Sequence, residues 1–344
     1  MKNNVSGKKV NIGILGPSEI AMRRFLPAIA SNERFSFIGV AIADSEEWAF
    51  AADETVSERE KAKAENIKNT YGGKIFDGYK KLIESDEINA VYIPLPPSLH
   101  YAWAKQAIKF KKHVLLEKPF TCSLNDTEDL IKSAAENSIA LHENYAFLYH
   151  KQIEKIMNII ESGRIGEIRH IRAAFGFPYR GEKDFRYNKE LGGGALLDCG
   201  GYPIKIISTI LGEDTIVTAA SLCRAKGHDV DVFGSVTMEN KEHLTGHAVF
   251  GMDNSYKCEL EIWGSEGALS APRIFTPPSD FKPLIYISDK EKITIEVESD
   301  DQFNNSANVF YSCIIDDGKR SDNYNKIKRQ GGLIERVRLI CKDY

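Results

Sequence analysis

The 344-residue sequence has no long apolar run and no excess of positive charge. Its apolar runs fall well short of the roughly 20 residues that cross a bilayer, which argues against a membrane protein. Lys and Arg number 45 and Asp and Glu number 49, for a net charge of −4, so the basic surface typical of a nucleic-acid-binding protein is missing. The first nine residues are polar, and we therefore expect no signal peptide and a cytoplasmic location.

Cysteine and histidine do not occur in the patterns that form disulfide frameworks or bind metals. The six cysteines include no CxxC pair, and the eight histidines show no metal-ligand spacing. We therefore expect reduced thiols and no metal site. The chain is 42% hydrophobic and 27% charged, and it is long enough for two domains, which is typical of a soluble globular protein.

Apolar runs and amphipathic segments alternate along the first part of the chain. Short apolar runs predict strands at residues 10–15, 35–43, 74–76, 90–94, 113–116 and 139–141. Helical spacing predicts helices at residues 19–30, 46–68, 79–84, 99–110 and 126–137. This alternation is typical of a Rossmann fold, a doubly wound parallel sheet covered by helices on both faces. Pro27 lies inside the first helical pattern and predicts a kink or an early end.

The pattern changes near residue 143. One more amphipathic helix is predicted at residues 150–162, and strand-like runs separated by turn residues follow it. These runs lie at residues 168–174, 215–224, 230–239, 244–250, 257–263, 284–287 and 292–297. We therefore predict a dinucleotide-binding domain over residues 1–142 and an α+β domain with a mostly antiparallel open sheet over residues 143–344. A last helix at residues 325–339 could pack on either domain.

Two glycines lie between the first predicted strand and the first predicted helix. A dinucleotide-binding fold needs the backbone to approach a pyrophosphate closely and then to present helix N–H groups to it. Gly13 and Gly16 meet this requirement, and Ser18 stands where a third glycine often lies. A purely structural turn is the alternative. The residues predicted to line the pyrophosphate site are Gly13, Gly16, Pro17, Ser18, Glu19 and Ile20.

An acidic residue, Asp44, ends the second predicted strand. A carboxylate there can accept hydrogen bonds from the ribose hydroxyls of adenosine, and it would repel a 2′-phosphate. The following residues are Ser45, Glu46 and Glu47, with no neighbouring arginine. This favours NAD over NADP, and a solvated strand end with no ligand is the alternative.

Two further loops follow predicted strands, at the sheet edge where this fold binds ligands. In the first loop, prolines stiffen the chain, and we predict cofactor contacts by Pro94, Leu95 and Pro96. His100, just beyond, could lie near the nicotinamide or cap the following helix. The second loop carries Glu117 and Lys118 before a proline. Solubility alone is a poor explanation for a lysine at that position, so we place both residues beside the cofactor.

A glycine-rich segment, residues 192–203, lies in the second half of the chain. Its glycines allow close backbone approach, and the pattern after them predicts a helix over residues 197–210. Asp198 and Tyr202 are four residues apart and would share one face of that helix. An ordinary buried hydrogen-bonded pair is the alternative. Arg186, shortly before, could bind a diphosphate in the substrate or form a surface ion pair.

These ordered motifs resemble those of the Gfo/Idh/MocA oxidoreductase family, named for glucose–fructose oxidoreductase and inositol dehydrogenase. The resemblance covers nearly the whole chain and lies in residues 13–21, 94–100, 117–119 and 192–202. It implies that Lys118 is catalytic and that Asp198 is the aspartate of the family's later motif. Many members have histidine where Tyr202 stands. The chain therefore resembles the glucose–fructose oxidoreductase, dihydrodiol dehydrogenase and sugar-ketoreductase branches more than the inositol dehydrogenase branch.

Three segments of the second half, residues 263–267, 275–278 and 300–303, resemble the NDP-sugar 3-ketoreductases. This resemblance implies a carbohydrate or nucleotide-sugar substrate. That branch commonly uses NADPH, which conflicts with the argument from Asp44, so the choice between NAD and NADP stays open. The family resemblance also implies a homodimer or homotetramer assembled through the open sheet face.

Residue chemistry and the resemblance together lead to a mechanistic hypothesis. When hydride reaches a ketone carbon, the ketone oxygen must gain a proton. Tyrosine has a reference pKa of about 10 and needs help to donate near neutral pH, and a nearby ammonium would supply it. We therefore assign Tyr202 as proton donor, Lys118 as its assistant, and Asp198 to position the lysine or a sugar hydroxyl. The alternatives are an NAD-assisted glycosidase, a dihydrodiol or aldose dehydrogenase, and a non-catalytic NAD-binding sensor.

Overall fold

The computed structural model describes residues 9–47 and 54–342. The chain divides into two compact units. We call Met1–Asn144 together with Phe303–Lys328 the first unit, and Tyr145–Gln302 together with Arg329–Tyr344 the second unit. Residues 1–8, and residues 48–53 of the helix predicted at residues 46–68, lie outside the described residues. Residues 46 and 47 form a turn, and the helix itself is described from Glu54.

The first unit contains a six-stranded parallel sheet with the strand order β3-β2-β1-β4-β5-β6. Its strands are β1 Val10–Leu15, β2 Phe35–Ile42, β3 Lys74–Asp77, β4 Ala90–Ile93, β5 His113–Leu116 and β6 Leu141–Glu143. The central strand β4 is buried along its whole length, as expected for a parallel strand with helices on both faces. The predicted doubly wound Rossmann sheet is confirmed.

The helices of this sheet follow the predicted order. They are α1 Leu26–Ala30, α2 Glu54–Tyr71, α3 Tyr79–Glu84, α4 Pro97–Lys109 and α5 Leu124–Glu136. A π-helical turn, Ala21–Phe25, precedes α1. Pro27 lies in the first turn of α1, where a missing N–H is tolerated, so the helix continues to Ala30. The expectation of an early end at Pro27 was wrong.

The last strand of this sheet lies two residues later than predicted. The N–H of Ile139 bonds the carbonyl of Ala134 and closes the preceding helix. The N–H of Ala140 bonds Nδ1 of His113 instead of a neighbouring strand. Paired β6 therefore begins only at Leu141.

The second unit contains an eight-stranded sheet with the order β14-β13-β12-β11-β7-β10-β9-β8. Its strands are β7 Ile168–Gly176, β8 Ile216–Cys223, β9 Phe233–Glu239, β10 Thr245–Gly251, β11 Lys257–Gly264, β12 Ala268–Ala271, β13 Leu284–Ser288 and β14 Lys292–Glu296. Only β7 and β10 pair in parallel among these described strands, so the predicted mostly antiparallel sheet is confirmed. Buried and exposed residues alternate along β9 and β10, which leaves one sheet face open.

The main helical segments of the second unit come before or between these strands. A short 3₁₀ turn, Ala146–Tyr149, precedes α6, which spans Lys151–Glu161. A π-helical turn, Leu196–Gly200, leads directly into α7, which spans Gly201–Leu211 and packs on β7 and β10. The predicted helix at residues 197–210 is thus confirmed.

Two C-terminal helices complete the chain: α8, Gln302–Ile315, and α9, Asp317–Ile340. The sequence predicted only the later part of α9. Asn and Ser residues make α8 a weak helix former by propensity, and several of them are used in buried hydrogen bonds within the first unit. No helix in residues 9–47 or 54–342 is long and apolar enough to span a membrane.

Candidate active site

The glycine turn after β1 is tight and closely packed. Gly16 has a φ of +85°, in the left-handed region that favours glycine. A Cβ at Gly16 would lie 2.9 Å from a methyl of Leu95, and a Cβ at Gly13 would lie 2.7 Å from a methyl of Leu82, so a side chain at either position would displace a leucine. The hydroxyl of Ser18 accepts the N–H of Ala21 at 3.1 Å and caps the helical segment. The turn therefore fits the dinucleotide that the sequence predicts there.

Asp44 lies in an acidic turn just after β2. Its Oδ1 accepts the N–H groups of Glu46 and Glu47 at 2.8 and 2.9 Å. The carboxylate of Glu47 accepts the N–H groups of Tyr79 and Lys80, both at 2.7 Å, at the start of α3. These bonds hold the turn after β2 against α3 and fix two carboxylates at this edge of the sheet.

His100 joins the two loops that follow β4 and β5. The side chain is completely buried, and its ring nitrogens lie 2.8 Å from the carbonyl oxygens of Pro119 and Leu95. Burial lowers the pKa of His100 to about 4, and the hydrogen bonds to the backbone oppose this effect. The structure thus shows His100 bound to the backbone of both loops, while its predicted cofactor contact stays a prediction.

Glu117 and Lys118 follow directly after β5, at the carboxyl edge of the sheet. Oε1 of Glu117 accepts hydrogen bonds from the Tyr92 hydroxyl and from Nδ2 of Asn144, both at 2.6 Å. Burial raises the pKa of Glu117, and these two donors and the adjacent Lys118 act in the opposite direction. The Lys118–Pro119 peptide bond is cis. The sequence pattern gave no sign of Asn144, the residue that contacts Glu117 from the end of β6.

In the second unit, Asp198 is paired with a cation. Nε of Arg186 lies 2.8 Å from Oδ2 of Asp198, and Nη1 of the same guanidinium lies 3.1 Å from Asp184. The side chains of Arg186 and Asp198 are only 21% and 10% exposed. Burial opposes the charge of Arg186, and the two carboxylates outweigh it and raise its pKa. Of the two roles weighed for Arg186, the structure shows an ion pair, and it is largely buried.

Removing Arg186 tests how strongly this pair holds the segment before α7. We expect Arg186→Leu to lower the free energy of unfolding by about 3 kcal/mol, because it leaves largely buried carboxylates uncompensated. Denaturant unfolding measures this. Arg169→Leu is the matched control, since Arg169 pairs with Glu167 at an exposed site in the same unit. A loss no larger than the control's would contradict the assignment.

Tyr202 lies among aromatic rings. Its ring centroid is 5.0 Å from Phe175, 5.2 Å from Tyr145, and 5.6 Å from both Phe147 and Phe275. Tyr202 itself is half-buried in this cluster. No sequence pattern predicted any of these four rings beside Tyr202. Phe275 was noticed only as part of a family-like segment, and the others came from apolar runs with no distinguishing signal.

A buried carboxylate fixes the start of the helical segment that carries Asp198 and Tyr202. Oδ2 of Asp231 accepts the N–H of Leu196 at 2.6 Å. A Cβ at Gly194 would lie 2.5 Å from Oδ1 of Asp231, so this glycine leaves room for the carboxylate. Burial raises the pKa of Asp231, and its hydrogen bond to Leu196 opposes that effect. Asp231 is 35 residues away in sequence from Leu196, and no local pattern predicts the contact.

Comparison with known proteins identifies the family. The oxidoreductase family with an NAD-binding Rossmann fold matches residues 10–145, and the GFO/IDH/MocA C-terminal domain matches residues 153–270. Whole-length relatives at 30% identity or more agree with both matches. The chain belongs to the Gfo/Idh/MocA oxidoreductase family. The resemblance noted in the sequence motifs is confirmed.

Two relatives of this Gfo/Idh/MocA chain carry the same name, dTDP-3,4-didehydro-2,6-dideoxy-alpha-D-glucose 3-reductase. The one from Saccharopolyspora spinosa is 34% identical over 337 residues, covering 96% of this chain and 97% of the relative. The one from Actinomadura kijaniata is 32% identical over 344 residues, covering 100% of this chain and 99% of the relative.

Among solved structures, a 3-ketoreductase from Actinomadura kijaniata in complex with NADP and TDP-benzene has a TM-score of 0.88 and 32% identity. The match covers 96% of this chain and 98% of that one. Variants of that enzyme with a lysine replaced by alanine, or a tyrosine replaced by phenylalanine, are also known as complexes with TDP-benzene and NADP.

This Gfo/Idh/MocA chain is therefore an NAD(P)-dependent oxidoreductase. Its whole-length relatives are named as reductases, which supports hydride transfer over the glycosidase and sensor alternatives.

Proposed function

We propose that this chain reduces the 3-keto group of a nucleotide-linked deoxyhexose. Whole-length similarity to enzymes named for that reaction supports the reaction type. That similarity carries the proposal. The buried aromatic rings around Tyr202 support it, because they hold the phenol ring of the proposed proton donor in one position.

Lys118 and Tyr202 are our proposed catalytic residues. The lysine and the tyrosine replaced in the Actinomadura variants are as far apart along that chain as Lys118 and Tyr202 are along this one. When bound, the nicotinamide supplies the hydride that reaches the ketone carbon. The Tyr202 hydroxyl then gives its proton to the ketone oxygen, and the Lys118 ammonium stabilises the phenolate and the developing alkoxide.

Asp198 is proposed to orient the sugar. Its Oδ2 accepts a hydrogen bond from Nε of Arg186, which fixes the direction of the carboxylate. We assign its Oδ1 to a sugar hydroxyl next to the reacting carbon. A diphosphate contact by Arg186 stays a prediction, because the guanidinium already binds two carboxylates.

A direct assay tests the proposed reaction. We expect NAD(P)H oxidation, followed at the nicotinamide absorption band, with a dTDP-linked 3-keto-2,6-dideoxyhexose and much less with the free sugar. The product should be the 3-hydroxy nucleotide sugar, with one nicotinamide consumed for each ketone reduced. Release of free sugar without net nicotinamide oxidation would contradict the proposal and support a glycosidase.

The residue Asp44 is proposed to set the choice between NADH and NADPH. We expect Asp44→Asn to raise the ratio of kcat/KM for NADPH to that for NADH by about tenfold, because a carboxylate facing the 2′-phosphate is lost. Steady-state kinetics with both cofactors measure the ratio. Asp77→Asn, an exposed carboxylate at the end of β3, is the control. An unchanged ratio in Asp44→Asn would remove Asp44 from the cofactor site.

The open sheet face is proposed to pair with a second copy of the chain. Phe233, Val249, Trp263 and Tyr286 lie on that face, and each is more than 40% exposed. An apolar patch of this kind marks an interaction surface. Sedimentation at micromolar concentration should show a dimer or tetramer, and a monomer would contradict this assignment.

A further inference from the structure

Buried polar side chains in the first unit form a continuous hydrogen-bonded series that ends at Glu117. The Ser306 hydroxyl, on α8, donates to Oδ1 of Asn144 at 2.7 Å, and Nδ2 of Asn144 donates to Glu117 at 2.6 Å. Nε2 of His142 lies 2.9 Å from the Ser306 hydroxyl. Nδ2 of Asn323, on α9, lies 3.4 Å from Nδ1 of His142. His142, Asn144, Ser306 and Asn323 are all buried.

The donors in this series all point in one direction. Ser306 has a single hydroxyl proton and gives it to Asn144, so His142 must donate to Ser306 through Nε2–H. With its Oδ1 occupied by Ser306, Asn144 can only present its NH₂ group to Glu117. The order of donation, from Asn323 through His142, Ser306 and Asn144, suits an acceptor-only group at the end. An ionised Glu117 carboxylate is such a group.

The end of β6 also binds the segment that follows Lys118. Oε1 of Glu143 accepts the N–H of Phe120 at 3.0 Å, while Asn144 holds Glu117. Two consecutive residues at the end of β6 therefore bind the chain before and after Lys118. Asn144 binds the Glu117 side chain, and Glu143 binds the Phe120 backbone. This places α8, through Ser306, in indirect contact with the loop that carries the proposed catalytic lysine.

We propose that Ser306 and Asn144 are positioning residues that keep Glu117 ionised beside Lys118 and so keep Lys118 a cation. The inference rests on the catalytic role proposed for Lys118. It gives α8 a role in positioning Lys118, although none of the proposed catalytic residues lies on that helix.

The electrostatics give the direction of the effect. Burial raises the pKa of Glu117, and the hydrogen bonds from Tyr92 and Asn144 and the charge of Lys118 lower it. The ionisable groups on neighbouring elements include Tyr92 on β4, His142 and Glu143 on β6, and His100 on α4, which lies against the same loop and interacts with the charge of Lys118. Weakening the Asn144 donor should raise the pKa of Glu117 further. A Glu117 that is neutral at working pH no longer stabilises the Lys118 ammonium, so Lys118 should lose its proton at lower pH.

Ser306→Ala tests the proposal with two readouts. The first is a ¹³C NMR titration of glutamate carboxyl carbons, with Glu117→Gln used to assign the signal, and its midpoint should rise by about half a pH unit or more. The second is the pH profile of kcat, whose alkaline limb should move to lower pH while the Kd for the cofactor stays unchanged. Ser306→Thr keeps the hydroxyl, so it should show the wild-type Glu117 titration midpoint and the wild-type alkaline limb of kcat.

Ser208→Ala is the matched control, because Ser208 is also a buried helical serine whose hydroxyl bonds a backbone carbonyl. A merely structural role predicts equal losses of stability in Ser208→Ala and Ser306→Ala with no shift of the Glu117 titration. That outcome, or a Ser306→Ala titration that overlies the wild type, overturns the proposal. The NMR titration needs no turnover, so it tests this inference even if the wild-type protein does not reduce the keto sugar. Failure of that reduction would contradict the proposed function and leave this inference to be decided by the titration.

Discussion

Lys118→Met is expected to lower kcat for keto-sugar reduction by about 10²- to 10³-fold, because it removes the positive charge beside the developing alkoxide. Methionine keeps the length and the apolar stem of the side chain, so the loop after β5 should keep its fold. Affinity for the cofactor should change by less than about threefold, since the proposed pyrophosphate site in the glycine turn does not include this side chain. Stopped-flow measurement of hydride transfer gives the chemical step directly.

Two further lysine variants sharpen this prediction. Lys118→Glu should be slower than Lys118→Met, because it places a second carboxylate next to Glu117 and opposes charge development on the ketone oxygen. Lys112→Met is the matched control. Lys112 is a buried lysine of the first unit, and it donates to the carbonyls of Ser85 and Ile88 at 2.8 Å. We expect it to lose stability but to keep its rate of hydride transfer, and an equal rate loss in both methionine variants would contradict a catalytic role for Lys118.

Tyr202→Phe is expected to lower kcat by about 10²-fold, since it removes the proton donor and leaves the ring in place. Phenylalanine fits the same cluster of Phe175, Phe147 and Phe275, so the thermal stability of the second unit should change little. A solvent isotope effect on kcat in the wild type should weaken or change in this variant. Rapid-quench measurement of ketone reduction, with the Kd for cofactor measured separately, tests the prediction.

Tyr145→Phe provides the comparison for Tyr202→Phe. Tyr145 is fully buried, its ring lies 5.2 Å from that of Tyr202, and its hydroxyl receives a hydrogen bond from Gln330. Loss of that hydroxyl should affect stability more than rate. If Tyr202→Phe turns over as fast as the wild type, the proton comes from another group, and Lys118 is then the first candidate.

The fold was predictable where the sequence pattern is local. Alternating apolar runs and helical spacing predicted all six strands of the parallel sheet, and the recurring strand-like runs predicted most of the second sheet. The helix α8 was not predicted, because its asparagines and serines have poor helical propensity and are stabilised by long-range hydrogen bonds. The strand β12 was missed because Ala268–Ala271 is short and has no β-branched residue.

The candidate site was predictable to the extent that its residues end strands or follow glycines. The glycine turn and Lys118 stand at the sheet edge that the Rossmann pattern already marks. The contact between Glu117 and Asn144 spans 27 residues, and the contact between Asn144 and Ser306 spans 162. Spacing along the chain carries no information about such partners, since they depend on how strands and helices pack.

A double-mutant cycle tests the central claim, that Lys118 and Tyr202 serve the same proton transfer. It compares the rate of hydride transfer in the wild type, Lys118→Met, Tyr202→Phe and the double variant. Residues that act as one unit are strongly non-additive, so the double variant should be about as slow as the slower single variant. Losses that multiply, giving a double variant slower by the product of the two single effects, would show that the two side chains act independently and would contradict this account.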